Sequence, residues 1–273
     1  MVNRPVIAVL GIAGLLPSLG FLSEDASGGA PYDVHRTVRV VVQDVMILYS
    51  TAAKEEAGGT AAMLERIDRV ITDANEIYEN SAVNVKLRLV HAAEVSKNPH
   101  QTDALIARRD FIDDPDPAYG DVRGLRDRYG ADIVSLWGKD LDYGGVAPGM
   151  TIGHQDASLG YHIVDAELAL ETYSFVHEVG HNQGCYHDME TDGWADTRPS
   201  YAYGWVLDEN EGLTIMAKGR GYSRIPHFSN PDVSYRGEPT GAVGLMTADS
   251  AHSYGADNAR RIRETADIVA GWR

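Results

Sequence analysis

Cys185 is the only cysteine among 273 residues, so no disulfide can form within the chain. Stability must come from the core and from any bound metal. Cys185 itself reads as a small buried residue. Positive charge is also scarce: 24 Lys and Arg stand against 40 Asp and Glu, a formal net charge of -16. Phosphate binding needs clustered Lys and Arg, so nucleic acid is not an expected partner. The charge balance suits a soluble exported monomer. Unbroken apolar runs of membrane-spanning length are missing too. Val6 to Leu22 is apolar, but Gly11, Gly14 and Pro17 interrupt it and Arg4 precedes it. That pattern fits a signal peptide better than a stable membrane insertion. Residues 1–30 are expected to be a signal peptide and short leader. Residues 31–273 are expected to form one domain in two lobes, the first reaching about residue 184 and the second spanning 185–273.

What the chain does have is a packed core in the making, with 44% hydrophobic residues. Arg39 to Tyr49 is nearly continuous and Val-rich, which predicts a strand buried on both faces. After the break at Gly58 to Thr60, apolar residues from Met63 to Tyr78 recur at helical spacing. Val83, Val85, Leu87 and Leu89 then alternate with Asn84, Lys86 and Arg88, the mark of a strand with one exposed face. Strand, helix, strand favours a right-handed crossover in a parallel sheet. Asp121 is placed to cap a short helix ending at Gly130. Further strands are expected at Ile133 to Trp137, at Tyr161 to Val164 and, at a sheet edge because of Pro148, within Gly144 to Met150. A helix beginning between Asp165 and Thr172 is expected to reach Gly184. Residues 188–246 show little periodicity and predict irregular structure around a site. Asp257 caps a final helix with Ile262, Ala266, Val269 and Trp272 as its apolar stripe.

The chemistry is concentrated in His177-Glu178-Val179-Gly180-His181-Asn182-Gln183-Gly184-Cys185-Tyr186-His187-Asp188. On a helix His177 and His181 stand one turn apart on one face, so both imidazoles reach one ion. Gly184 accepts the left-handed conformation that ends a helix sharply, and the turned chain brings His187 back. Three neutral imidazoles with an open fourth position are the layout of a catalytic zinc site. Glu178 sits beside the metal rather than on it, where it can act as general base toward an attacking water.

The segment resembles the metzincin zinc peptidases, whose pattern is H-E-x-x-H-x-x-G-x-x-H. Asp188 directly after the third His is similar to the reprolysin or adamalysin subgroup. Thr214-Ile215-Met216-Ala217 resembles the metzincin Met-turn, which makes Met216 the floor beneath the ligands. Residues 44–49, 84–89, 129–136, 228–231 and 257–260 resemble bacterial secreted members, including the peptidyl-Asp metallopeptidase group. The resemblance implies an α/β fold of the metzincin type. Its parts are a twisted, mostly parallel five-stranded sheet with an antiparallel edge strand, a long active-site helix and an irregular C-terminal lobe. It also implies a secreted zinc endopeptidase and an extended peptide or unfolded protein lying along Gly145 to Ala147. Astacin-like and serralysin-like members carry Tyr two residues after the Met, where this chain has Lys218.

Lys218, Arg220 and Arg224 follow the Met-turn. As a wall of the substrate pocket they would favour an acidic residue after the cleaved bond; as solvated loop charges they would read nothing. Asp188 is expected to bond backbone or a neighbour and fix the turn, supporting the ligands from behind. The acidic run Asp188, Glu190, Asp192 and Asp196 fits no calcium-loop spacing and reads as a solvated loop. His154 and His162 read as structural or surface histidines. The competing function is a catalytically weak secreted zinc-binding protein that uses the cleft to hold a partner. An intact Glu178 speaks against it.

Overall fold

Val41–Ser50 forms strand β1, and its last six residues are all buried. Val45, Ile47 and Tyr49 enter one apolar cluster while Met46 and Leu48 enter another. Alternate side chains point to opposite faces, so this strand lies in a sheet covered on both sides. The structure, a computed structural model, describes residues 39–99 and 116–273. The signal-peptide expectation for residues 1–30 lies outside that range. No described helix is long and apolar enough to cross a membrane.

A short helix α1, Thr51–Glu56, follows β1 directly, with Ser50 Oγ accepting from the Ala53 N–H at its start. Six residues are too few for a helical period to show in the sequence. Helix α2, Thr60–Asn80, is the crossover and buries Met63, Ile67, Val70, Ala74, Ile77 and Tyr78. It leads into β2, Val85–Val95, parallel to β1. The strand runs six residues past Leu89, where the alternating pattern stops. Leu89 pairs with Val45 and His91 with Met46, so Val90 is an extra residue. That bulge breaks the period of two and hid the rest of the strand.

Helix α3, Val122–Tyr129, is capped by Asp121, whose carboxylate accepts from the Gly124 N–H, and ends at Gly130 with φ 63°. Strands β3, Ile133–Gly138, β4, Gly145–Val146, and β5, Tyr161–Asp165, complete a five-stranded sheet in the order β2-β1-β3-β5-β4. All neighbours are parallel except β4, which runs antiparallel to β5 at one edge. The expected sheet is therefore present, with the reversed strand on the edge.

The segment after β5 departs from expectation. Two helices replace one: α4, Leu168–Glu171, and α5, Ser174–Asn182. Tyr173 between them has φ 55°, a left-handed turn that no helix can continue through. The site helix is accordingly nine residues long, shorter than anticipated. Its C-terminal end is fixed by buried polar contacts. Gln183 accepts from Tyr78 Oη at 3.0 Å and donates to Gln43 Oε1 at 2.8 Å, linking α2, the helix end and β1. Asn182 Nδ2 donates to the Leu159 and Tyr161 carbonyls, tying the helix to β5.

Beyond α5 the chain is not wholly irregular. A one-turn helix α6, Met189–Asp192, is followed by a small three-stranded sheet of β6, Val206–Leu207, β7, Gly212–Leu213, and β8, Ser223–Arg224. Two hairpins come next: β9, Ser234–Tyr235, with β10, Glu238–Pro239, then β11, Ala242–Met246, with β12, Ser253–Ala256. Two-residue strands carry no period to detect. Helix α7, Asn258–Val269, starts at the Asp257 cap and buries Ile262, Ala266, Val269 and, just past its end, Trp272 in the larger cluster.

Candidate metal centre

His177 and His181 project from one face of α5. The chain then reverses at Gly184, φ 89°, where a Cβ would lie 2.5 Å from Arg261 Nε. The Cys185 N–H bonds the Gly180 carbonyl at 2.9 Å and closes the turn. His187 arrives opposite the helix. Its Nε2 lies 3.2 Å from His177 Nε2 and 3.0 Å from His181 Nε2. Among the described residues this triad is the one group of three or more His, Cys, Asp or Glu with ligand atoms gathered within 4.8 Å.

The opposite nitrogens decide the tautomers. His177 Nδ1 lies 2.7 Å from the Ile215 carbonyl and His181 Nδ1 3.0 Å from the Cys185 carbonyl. His187 Nδ1 lies 2.7 Å from Asp192 Oδ1. Carbonyls and carboxylates only accept, so each Nδ1 carries the hydrogen and each Nε2 presents a lone pair. Three lone pairs converging with no hydrogen between them call for a cation. Imidazole nitrogens about 2.0–2.1 Å from a tetrahedral zinc would be roughly 3.3 Å apart, close to the spacing present. The donor set therefore fits zinc. Burial lowers the pKa of His181 to about 3 and that of His177 well below the ordinary range, so both rings are neutral and ready to ligate at pH 7.

Met216 lies in a tight turn of the chain. The Ala217 N–H bonds the Thr214 carbonyl at 2.9 Å, a tight turn, and Met216 is fully buried. A Cβ on Gly180 would come within 2.5 Å of Met216 Sδ, so the sulfur packs on α5 at the residue just before His181. The same turn supplies the Ile215 carbonyl to His177.

Asp188 bonds both backbone and a neighbouring side chain. Its carboxylate caps α6 through Thr191 and accepts the Lys218 N–H at 2.9 Å, joining the third-ligand loop to the residue after the turn. Asp192, read from sequence as part of a solvated loop, instead contacts His187. A spacing of five residues is not a recognisable signal until α6 folds the chain back. His162 and His154 stay out of the cleft. His162 is buried with Nδ1 on Asn182 Oδ1 at 2.8 Å, and exposed His154 pairs with Asp156.

Glu178 is buried beside His177 at the floor of a cleft of about 780 Å3. Burial pushes its pKa up to about 8, against the opposing pull of Lys218 and Arg224. Edge strand β4 forms one wall, with Tyr143 at its approach; Leu168, Tyr173 and Tyr222 contribute apolar and aromatic surface. The three basic residues separate. Lys218 and Arg224 line the cleft. Arg220 does not; it pairs with Asp208 at 2.7 Å and Glu190 at 3.4 Å on the exposed surface.

The Metallo-peptidase family M12B Reprolysin-like model matches residues 37–243, which span the sheet, the His triad and the Met-turn. The chain belongs to this family. Among reprolysin-like relatives, it is 32% identical over 216 residues to a peptidyl-Asp metalloendopeptidase of Pseudomonas aeruginosa, covering 69% of this chain and 34% of that one. It is 30% identical over 257 residues to one of Stenotrophomonas maltophilia, covering 91% of this chain and 54% of the relative. The chain thus spans about half or less of the length of these relatives. A solved structure titled "Structure of a chaperone-substrate complex" shares the fold, with TM-score 0.63 and 22% identity over 87% of this chain and 40% of that chain.

Proposed function

We propose that this reprolysin-like chain is a secreted zinc endopeptidase in which His177, His181 and His187 hold the ion and Glu178 is the general base. The observation that carries the reading is the convergence of three Nε2 lone pairs beside a buried carboxylate, in a cleft walled by an open sheet edge. Zinc, when bound, supplies Lewis-acid chemistry: it polarises a carbonyl and acidifies water. Glu178 takes the proton of the attacking water on a carboxylate oxygen and returns it to the leaving amine. The backbone of β4 offers hydrogen bonds to an extended peptide without regard to its side chains.

Selectivity comes from the basic wall. Arg224 Nη1 donates to the Thr172 carbonyl at 2.7 Å, while its Nε is a buried donor with no protein partner. Arg224 and Lys218 both line the cleft, so their positive charge would attract an acidic side chain of the substrate. The peptidyl-Asp name of the relatives supports the same preference. Arg4 and the interrupted apolar stretch from Val6 to Leu22 support export. The test is cleavage of casein by the purified chain. Activity should disappear with a chelator and return with added zinc; a zinc-loaded chain that leaves casein and Asp-containing peptides intact would contradict the proposal.

A further inference from the structure

We propose that Asp192 is the positioning residue of the metal centre, setting the tautomer, direction and basicity of the third imidazole. The proposal rests on the zinc reading of the triad. His177 and His181 are held by their places on α5, and each gives its Nδ1 hydrogen to a neutral backbone carbonyl. His187 lies beyond Gly184; its carbonyl accepts from the Gly204 N–H at 3.2 Å, but outside any helix its ring lacks the restraint that α5 gives the other two. One carboxylate supplies it twice. Asp192 Oδ1 takes the Nδ1 hydrogen at 2.7 Å, and Oδ2 takes the backbone N–H of the same residue at 3.1 Å.

The carboxylate is itself held from both sides. Asp188 caps α6, which brings residue 192 back onto residue 187. Arg198 Nη1 donates to the Asp192 and Gly193 carbonyls at 3.1 and 3.3 Å and lies 3.6 Å from Asp192 Oδ2. Its guanidinium rests over the Tyr186 ring at 4.6 Å. Charge gives the contact a second purpose. Three neutral imidazoles bring no negative charge to a dication, and Asp192 supplies one through the ring it orients.

The test follows zinc release from the full chain to a chromophoric chelator, with no substrate present. Asp192→Asn is expected to release zinc about 10-fold faster, and Asp192→Ala between about 10- and 100-fold faster. Asp196→Asn is the control: Asp196 accepts from Trp194 Nε1 and touches none of the three histidines. It should release zinc at the wild-type rate. A role confined to loop stability would leave the cobalt(II) spectrum of the substituted protein unchanged, whereas loss of ligand orientation shifts it. Zinc-loaded wild type gives a reading that needs no variant to fold. In its NMR spectrum the His187 Nδ1 proton, bonded to a carboxylate, should lie downfield of those of His177 and His181. Wild-type release rates in both Asp192 variants, or a His187 proton no different from the other two, would overturn the proposal. A wild type that fails to bind one zinc per chain would defeat the zinc reading itself, a result distinct from a zinc-loaded protein indifferent to residue 192.

Discussion

Glu178 occupies the space that a side chain at Gly145 would need. A Cβ at that position would lie 2.6 Å from Glu178 Cγ and 2.7 Å from Oε1. The edge strand can therefore lie against the carboxylate only because residue 145 is glycine. Cγ is mid-chain and buried, so neither partner yields cheaply. Gly145→Ala is predicted to lower kcat/KM about 10- to 100-fold by displacing the base or the strand. Zinc content should stay at the wild-type level, since no ligand contact changes. Steady-state kinetics with parallel metal analysis checks both parts.

Gly180 makes a similar contact on the other side of the site helix. Alanine ordinarily stabilises a helix interior by about 1 kcal/mol relative to glycine. Here its Cβ would meet Met216 Sδ at 2.5 Å and Phe228 Cε1 at 3.1 Å. Overpacking of this kind costs about 1–3 kcal/mol, so Gly180→Ala is predicted to destabilise on balance. Chemical denaturation of the metal-free protein measures the sign directly.

The two arginine candidates should behave differently under substitution. Arg224→Ala removes a positive charge from the cleft wall and is predicted to reduce the preference for Asp over Leu after the cleaved bond by about 10-fold. Arg220→Ala, whose charge is spent on Asp208 and Glu190, should leave the preference unaltered. Competition assays on paired peptides differing at that one position distinguish the two.

His162 makes stability depend on pH in a defined direction. Asn182 Nδ2 is committed to two carbonyls, so its oxygen accepts from His162 Nδ1, and His162 Nε2 is buried without a partner. Burial lowers the pKa of this ring from 6.5 to about 4. The unfolded chain therefore binds the proton first as pH falls. Its contribution is fully present above about pH 6.5 and is lost progressively toward pH 4, on the order of 3 kcal/mol in total. His162→Gln should flatten the stability curve in that window. Comparing the two metal-free proteins cancels the contributions of His177 and His181.

The site was legible where its parts are close in sequence. His177, Glu178, His181, Gly184 and His187 fall within eleven residues; one helix turn pairs His177 with His181, and the reversal at Gly184 returns His187. Strand β1 was legible as the continuous apolar run Val45 to Tyr49, and the start of edge strand β2 as the alternation from Val83 to Leu89. What escaped depends on folding back across a turn. Asp192 reaches His187 only through α6, and the left-handed Tyr173 that divides α4 from α5 is not a glycine. Arg220 and Arg224 are alike in composition and four residues apart. Only the short strand β8 and the acidic partners of Arg220 separate the one that enters the cleft from the one that does not.

The central claim is that a zinc ion on the three histidines and a base at Glu178 together perform peptide hydrolysis. Glu178→Gln keeps the shape of the side chain and removes its ability to take a proton. Casein cleavage and zinc content should be measured together in the wild type and this variant. The account predicts one zinc per chain in both, with turnover reduced at least about 100-fold in the variant. Equal cleavage by both proteins, or cleavage by a wild type stripped of metal, would contradict it.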